Sequence, residues 1–120
     1  MKFWGKVRTH NRRGKKLGFP TANLNLAKNI PEGIYISKTR IGQFTYPGLT
    51  FIGKAKTFNE SRFYAETYIL DFNKNIYSKW ISVNLIKKIR ENKKFNSADE
   101  LVKQMKKDEK MARKYFEFPS

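Results

Sequence analysis

Along the first 95 residues, apolar and polar positions alternate over short stretches that turn-forming residues interrupt. FWGKVRT (3–9) alternates loosely, as a half-buried strand does. Pro31, Glu32 and Gly33 form a turn signal, and GIYISKTRI (33–41) is rich in the β-branched and aromatic residues that strands favour. Gly42 and Gln43 suit a hairpin turn into FTYPGLTFIG (44–53). Pro47 inside that run predicts an edge strand or a bulge, because proline cannot donate to a ladder. FYAETYILDF (63–72) follows, closed by Asn73, Lys74 and Asn75. WISVNLIKKI (80–89) places Ile81, Val83 and Leu85 on one face and Ser82 and Asn84 on the other. Five or six strands with short connections predict an antiparallel barrel or sandwich.

Past residue 95 the period lengthens to that of a helix. Ser97-Ala98-Asp99-Glu100 is a capping box, in which the serine side chain and the glutamate carboxylate satisfy exposed backbone donors. Ala98, Leu101, Val102, Met105, Ala112, Tyr115 and Phe116 recur at helical spacing and predict one apolar stripe packed on the barrel. The strands thus occupy residues 3–95 and the helix residues 97–117.

The run at 63–72 stands apart. Tyr64, Glu66, Tyr68 and Leu70 share one face, while Phe63, Ala65, Thr67 and Ile69 share the other. Both sets are largely apolar, which predicts burial on both sides and a desolvated Glu66. Desolvation raises a carboxylate's pKa and makes it a usable base near neutral pH. A structural ion pair with one of the 26 lysines and arginines fits the same position. The residues by themselves favour the ion pair, because structural pairs outnumber catalytic bases.

Composition narrows the chemistry. A chain of 120 residues is expected to be a single domain, 1–120, with enough apolar and aromatic residues for one core. It has no cysteine, which excludes disulfides, thiolate metal sites and a cysteine nucleophile. His10 is the only histidine, so a His-rich metal site is excluded and a general base is expected to be a carboxylate. No segment approaches the ~20 apolar residues of a membrane span. MKFWGKVRTH is too charged for a signal peptide, so the expected address is the cytoplasm. The formal charge of +16 draws in polyanions such as nucleic acid, acidic lipid or a nucleoside triphosphate. A lysine-rich composition gives the same excess without any site.

One loop concentrates unusual residues. In GKKLGFPTAN (14–23), Gly14 and Gly18 let the backbone approach a bound group closely, and Pro20 stiffens the chain that follows. Thr21 and Asn23 then offer two short oxygen-bearing side chains. The loop is not a Walker A sequence, which needs GxxxxGK[ST] between a strand and a helix.

GKV (5–7), RRGKKLGFPTANLNL (12–26), PEGIY (31–35), IG (52–53), TF (57–58), AETYILDFNKNIY (65–77), IRENKKFNSADELVKQMKKD (89–108) and Ala112 follow one another in the order and spacing of a known family. Over nearly the whole chain they resemble the ATP-type riboflavin kinases, with LGFPTAN as the most specific block. The resemblance implies a mainly β fold, a small six-stranded antiparallel, Greek-key-like barrel with a C-terminal α-helix. It implies transfer of the γ-phosphoryl group of ATP to the 5′-hydroxyl of riboflavin, giving FMN and ADP with the help of Mg²⁺ or another divalent cation. It also implies that a chain starting at this module stops at FMN.

By the same resemblance, Thr21 and Asn23 face the metal and the phosphates. Gly14, Lys15, Lys16, Gly18, Phe19, Pro20 and Thr21 would form the loop over the nucleotide. Glu66 matches the base for the riboflavin hydroxyl. Arg90 aligns with an arginine near the flavin and its new phosphate, and Tyr77 and Phe95 are further flavin contacts. Riboflavin and ATP are then the partners of an expected monomer, with no membrane, and nucleic acid enters only through the +16 charge.

Three positions depart from the family's pattern. The family has glycine where His10 or Asn11 stands, its Pro-Thr-Phe is Lys56-Thr57-Phe58, and its Tyr-Gly is Tyr77-Ser78. None removes a metal ligand or the base. They leave open a barrel that binds flavin or nucleotide with little turnover. A basic β-barrel that binds nucleic acid is the competing class, although neither an RNP-like nor a KH-like motif is present.

Overall fold

The computed structural model describes residues 1–8, 21–57 and 60–117, with the backbone alone for 55–57, 60 and 61. It contains β1 (Lys2–Lys6), β2 (Ala22–Asn25), β3 (Gly33–Ile41), β4 (Phe44–Thr57), β5 (Glu60–Ile69), β6 (Trp80–Arg90) and α1 (Ala98–Phe116). The strands form one antiparallel sheet in the order β1-β6-β3-β4-β5-β2. The two outermost strands are drawn together where the Arg8 amide donates to the Asn23 carbonyl at 2.8 Å. The sheet is therefore a nearly closed barrel, the solution that leaves little strand edge exposed. Four-residue β2, in the ANLNL run, supplies the sixth strand.

Strand alternation sorts the side chains into two layers. Phe3, Leu24, Ile52, Ala65, Ile81, Val83 and Leu85 point inward and are fully buried together. Three of their polar neighbours inside pair with one another, whereas the buried Thr39 hydroxyl is the one such side-chain group among the described residues without a partner. The Ser37 and Thr50 hydroxyls lie 2.8 Å apart, and Thr50 and Thr67 lie 2.9 Å apart, so three strands share one buried hydroxyl chain. Such satisfaction is what keeps a buried hydroxyl from costing stability.

The β3–β4 hairpin turns at Gly42, whose φ of 61° is the left-handed conformation that favours glycine. Pro47 does not mark an edge strand: β4 is paired with β3 on one side and β5 on the other. Its place is allowed because the β4–β5 ladder begins only at Gly48. Beyond that point the Pro47 carbonyl still accepts from the Leu70 amide at 3.0 Å.

The helix starts as its capping box requires, with the Glu100 amide donating to Ser97 Oγ at 3.2 Å. The Glu100 carboxylate reaches one residue further back than expected, to the Asn96 amide at 3.1 Å. The apolar stripe packs mainly by its second half. Ala112 is fully buried and Phe116 partly so, against Ile34, Ile36, Leu49 and Leu70 on the outside of the barrel. Leu101, Val102 and Met105 are only half-buried, and Tyr115 is exposed. Arg113 anchors this end, donating to Asp71 at 2.6 Å and to Glu109 at 2.8 Å. The Arg113 guanidinium holds the Asp71 carboxyl below its ordinary value, while burial and the Glu109 charge push the Tyr68 hydroxyl up.

Candidate active site

The sheet register gathers residues that are far apart in sequence. Asn23 pairs with Glu66, Glu66 with Phe51, Phe51 with Ile34, and Ile34 with Arg90. These five form one row across β2, β5, β4, β3 and β6. Leu24, Ala65 and Ile52 point into the barrel, so alternation turns Asn23, Glu66 and Phe51 to its outer surface. Directly opposed residues on neighbouring strands have Cα atoms about 4.5–5.5 Å apart, which puts Asn23 and Glu66 side by side. Arg90 lies three strands from Glu66, about 14 Å along the row at ~4.8 Å per strand. Thr21, two residues before Asn23, shares its face and is half-buried.

Glu66 is half-buried and Asn23 is buried. Tyr64, two residues before Glu66 on the same face, has its hydroxyl pKa pushed up by burial first, then by the negative charges of Glu66 and Glu32. Its ring lies 5.8 Å from that of Phe51, tilted by 54°. Gly53 makes room for both rings: a Cβ there would stand 2.6 Å from an atom of each. Asn92 ties the chain after β6 to this corner, donating to Glu32 at 3.1 Å and to the Ile52 carbonyl at 3.3 Å. Glu66 thus stands between an amide neighbour, Asn23, and an aromatic one, Phe51.

At the far end of the row, Arg90 is held firmly. Its Nε and Nη2 donate to Asp108 at 2.9 and 2.7 Å, and Nη1 donates to the Glu91 carbonyl at 3.1 Å. Asp108 is itself buried and also accepts from Gln104 at 3.0 Å, and Gln104 accepts from Lys93 at 3.3 Å. Bidentate pairing of this kind fixes the plane of the guanidinium. Phe95, half-buried, lies in the loop between β6 and α1, with the Lys93 ammonium 6.0 Å from its ring centroid.

Tyr77 is not part of the row. It is exposed in the loop before β6, where its amide donates to Asn75 Oδ1 at 2.9 Å and the next amide, Ser78, donates to the Val7 carbonyl at 3.0 Å. Ser78 adopts a φ of 67°, the conformation a glycine would take without strain. Gly14, Lys15, Lys16, Gly18, Phe19 and Pro20, and the departure at His10 and Asn11, lie outside the described residues. So do Phe58 and the Lys56 side chain.

The sequence pattern did not single out Phe51, Asn92 or Asp108, and Gly53 stood out only within the IG block. Register alone shows what Phe51 and Gly53 face. Asp108 was legible in principle, as a carboxylate one turn before Ala112 on the helix stripe.

The riboflavin kinase (flavokinase) family model matches residues 1–116. The chain belongs to the riboflavin kinase family. Within it, the chain is 37% identical over 112 residues to the bifunctional riboflavin kinase/FMN adenylyltransferase of Bacillus subtilis, covering 88% of this chain and 35% of that one. It spans 35% to 38% of the length of such bifunctional relatives. A solved Streptococcus pneumoniae chain, described as a macrolide-efflux protein, matches with a TM-score of 0.87 at 36% identity, over 93% of this chain and 38% of that one. Riboflavin kinase from Trypanosoma brucei shares the fold, with a TM-score of 0.67 at 24% identity over 98% of this chain and 80% of that one. The six-stranded barrel with a C-terminal helix that the family resemblance implied is the architecture found.

Proposed function

We propose that this chain is an ATP:riboflavin 5′-phosphotransferase with Glu66 as its base. The observation that carries the reading is the direct apposition of Asn23 and Glu66 on the outer face of β2 and β5. That apposition sets a hydroxyl-activating carboxylate beside hard oxygen donors suited to a metal–phosphate group. Family membership supplies the substrates.

Glu66 takes the proton of the riboflavin 5′-hydroxyl as that oxygen bonds to the γ-phosphorus, and the bond from γ-phosphorus to the bridging oxygen breaks to release ADP. Phosphoryl transfer asks mainly for positioning and charge neutralisation. Among the described residues no three carboxylates or histidines cluster as a metal cage. The oxygens of Thr21 and Asn23 fit Mg²⁺, which takes one or two protein groups and fills its shell with phosphate and water. When bound, the cation neutralises phosphate charge. Asn23 and Thr21 orient that group toward Glu66, and Phe51 and Tyr64 offer an apolar wall for a flat ring. Arg90, pre-aimed by Asp108, faces the flavin phosphate, with Phe95 as a further flavin contact. Gly14, Lys15, Lys16, Gly18, Phe19 and Pro20 are assigned to the nucleotide by the family resemblance, and Tyr77 to the flavin from the loop before β6. The reaction needs no second subunit and no membrane, so the reading is of a monomer acting in the cytoplasm.

The test is incubation with riboflavin, ATP and Mg²⁺, with products resolved by chromatography. FMN that requires all three, and that Glu66→Gln abolishes while riboflavin still binds, supports the reading. Riboflavin binding without FMN would leave a flavin-binding barrel and sink the catalytic role.

A further inference from the structure

Trp4 and Trp80, the only two tryptophans in the chain, are 71% and 66% exposed. They stand on the same outer surface of adjacent strands, because Trp4 pairs with Ser82 and Trp80 pairs with Lys6. This diagonal relation separates their Cα atoms by about 7–8 Å. Lys2 and Lys6 flank Trp4 along β1, and Lys38 and Arg40 face the same patch from β3, opposite Asn84 and Ser82. All four cations are exposed, and none of the outward positions of β1, of β6 from Trp80 to Asn84, or of β3 from Lys38 to Arg40 carries a carboxylate. The helix packs elsewhere, against Ile34, Ile36, Leu49 and Leu70. In the strand order, β6 lies opposite β5 around the barrel, so the patch is on the far side from Glu66.

We infer that this outer face of β1, β6 and β3 binds single-stranded nucleic acid, with Trp4 and Trp80 as stacking platforms and Lys2, Lys6, Lys38 and Arg40 as phosphate contacts. Single strands are held by this combination: aromatic rings that accept any base, set in a cationic surface that tracks the backbone. The patch has two isolated rings among lysine, arginine, serine and asparagine, with no contiguous apolar surface. That favours hydrogen-bonding bases over the interior of a bilayer. The inference is independent of the kinase reading, since no residue in it belongs to the Glu66 row.

The tryptophans make the test specific. Flavin-free protein is titrated with a labelled oligouridylate of roughly 12 nucleotides, within the site sizes of single-strand binders. Anisotropy and intrinsic tryptophan emission are followed together. Saturable binding accompanied by quenching is expected. Trp4→Ala/Trp80→Ala leaves the net charge unchanged and should weaken binding at least about tenfold, whereas Trp4→Phe/Trp80→Phe should restore most of it. Lys2→Gln/Lys6→Gln/Lys38→Gln should flatten the salt slope by about 2, at ~0.7 per phosphate contact. Lys106→Gln/Lys107→Gln/Lys110→Gln on the exposed helix surface should flatten it less, and FMN formation should be unchanged in all four variants. Binding without any change in tryptophan emission would overturn the inference. So would equal slopes for the two lysine sets, or binding to phosphatidylserine vesicles with none to the oligonucleotide.

Discussion

Two carboxylates on the outside of this barrel, Glu66 and Asp108, live in opposite circumstances. Asp108 is buried under the helix, and its oxygens are engaged by Arg90 and Gln104 in a bidentate, side-on arrangement. Glu66 is half-buried in mid-strand, between Asn23 on β2 and Phe51 on β4, with Tyr64 beside it. In a chain with 26 cations and 10 acids, pairing is the easy fate of a carboxylate. Asp108 shows what that fate looks like: it stabilises and orients. Glu66 stands in mid-strand beside Asn23 and Phe51, and it is there that the base is proposed. Under the proposed reading, burial alone would rank the two in the wrong order as candidate bases.

The comparison breaks most decisively at Glu66 itself. Glu66→Gln keeps shape and removes the base, so FMN formation should fall about 10²–10⁴-fold. Its urea midpoint should stay close to that of the parent protein. Asp108→Ala should do the reverse. It leaves the Arg90 guanidinium without its partner, and losing one member of a buried pair costs about 3–5 kcal/mol in urea unfolding. Activity then declines through a raised KM for riboflavin rather than through kcat. Equal kinetic loss in both variants, at equal stability, would erase the distinction drawn here.

Gly53→Ala sharpens the picture at the aromatic wall. The added methyl meets the rings of Phe51 and Tyr64, and overpacking of this kind costs about 1–3 kcal/mol. Weaker riboflavin binding should accompany it, measured by flavin fluorescence. Ser78→Gly, remote from both carboxylates, should stabilise the protein by about 0.5–1 kcal/mol, since left-handed backbone strains serine and not glycine.

The smallest effect is electrostatic. Arg113 lowers the Asp71 pKa in the folded state, so this pair contributes stability above the ordinary carboxylate range and loses it as pH falls through the lowered value. Asp71→Asn should therefore flatten the acid limb of a stability–pH curve slightly. Tyr68 works in the other direction: its raised pKa favours the fold below the ordinary tyrosine value and loses that benefit as pH rises through the folded one.

Much of this was legible in the chain. The β3 boundaries, the Gly42 turn and the capping box at Ser97 are local matters of periodicity and turn chemistry, and they stand where those rules put them. Glu66 was visible as the one charge within the stretch from Phe63 to Leu70, largely apolar on both faces. Pro47 misled because a rule about whole strands met a strand longer than its neighbour, so that one end of a central strand behaves as an edge. The helix stripe misled because Tyr115 follows the spacing yet stays exposed, while Asp108 falls at the same spacing but, being charged, was left out of the stripe, and it is buried with its arginine. Long-range register, which no local pattern encodes, is what joins residues 23, 51, 66 and 90 into a row.

The seam of the barrel gives that row a mechanical side. Among the described residues, β1 and β2 meet through the bridge of Arg8 to Asn23, whereas every other neighbouring pair shares a full ladder. The ring is thus thinnest at the residue proposed to face the metal. In the proposed reading, a nucleotide that immobilises Asn23 clasps this seam of the cylinder. Substrate saturation and resistance to unfolding become two readings of one closure.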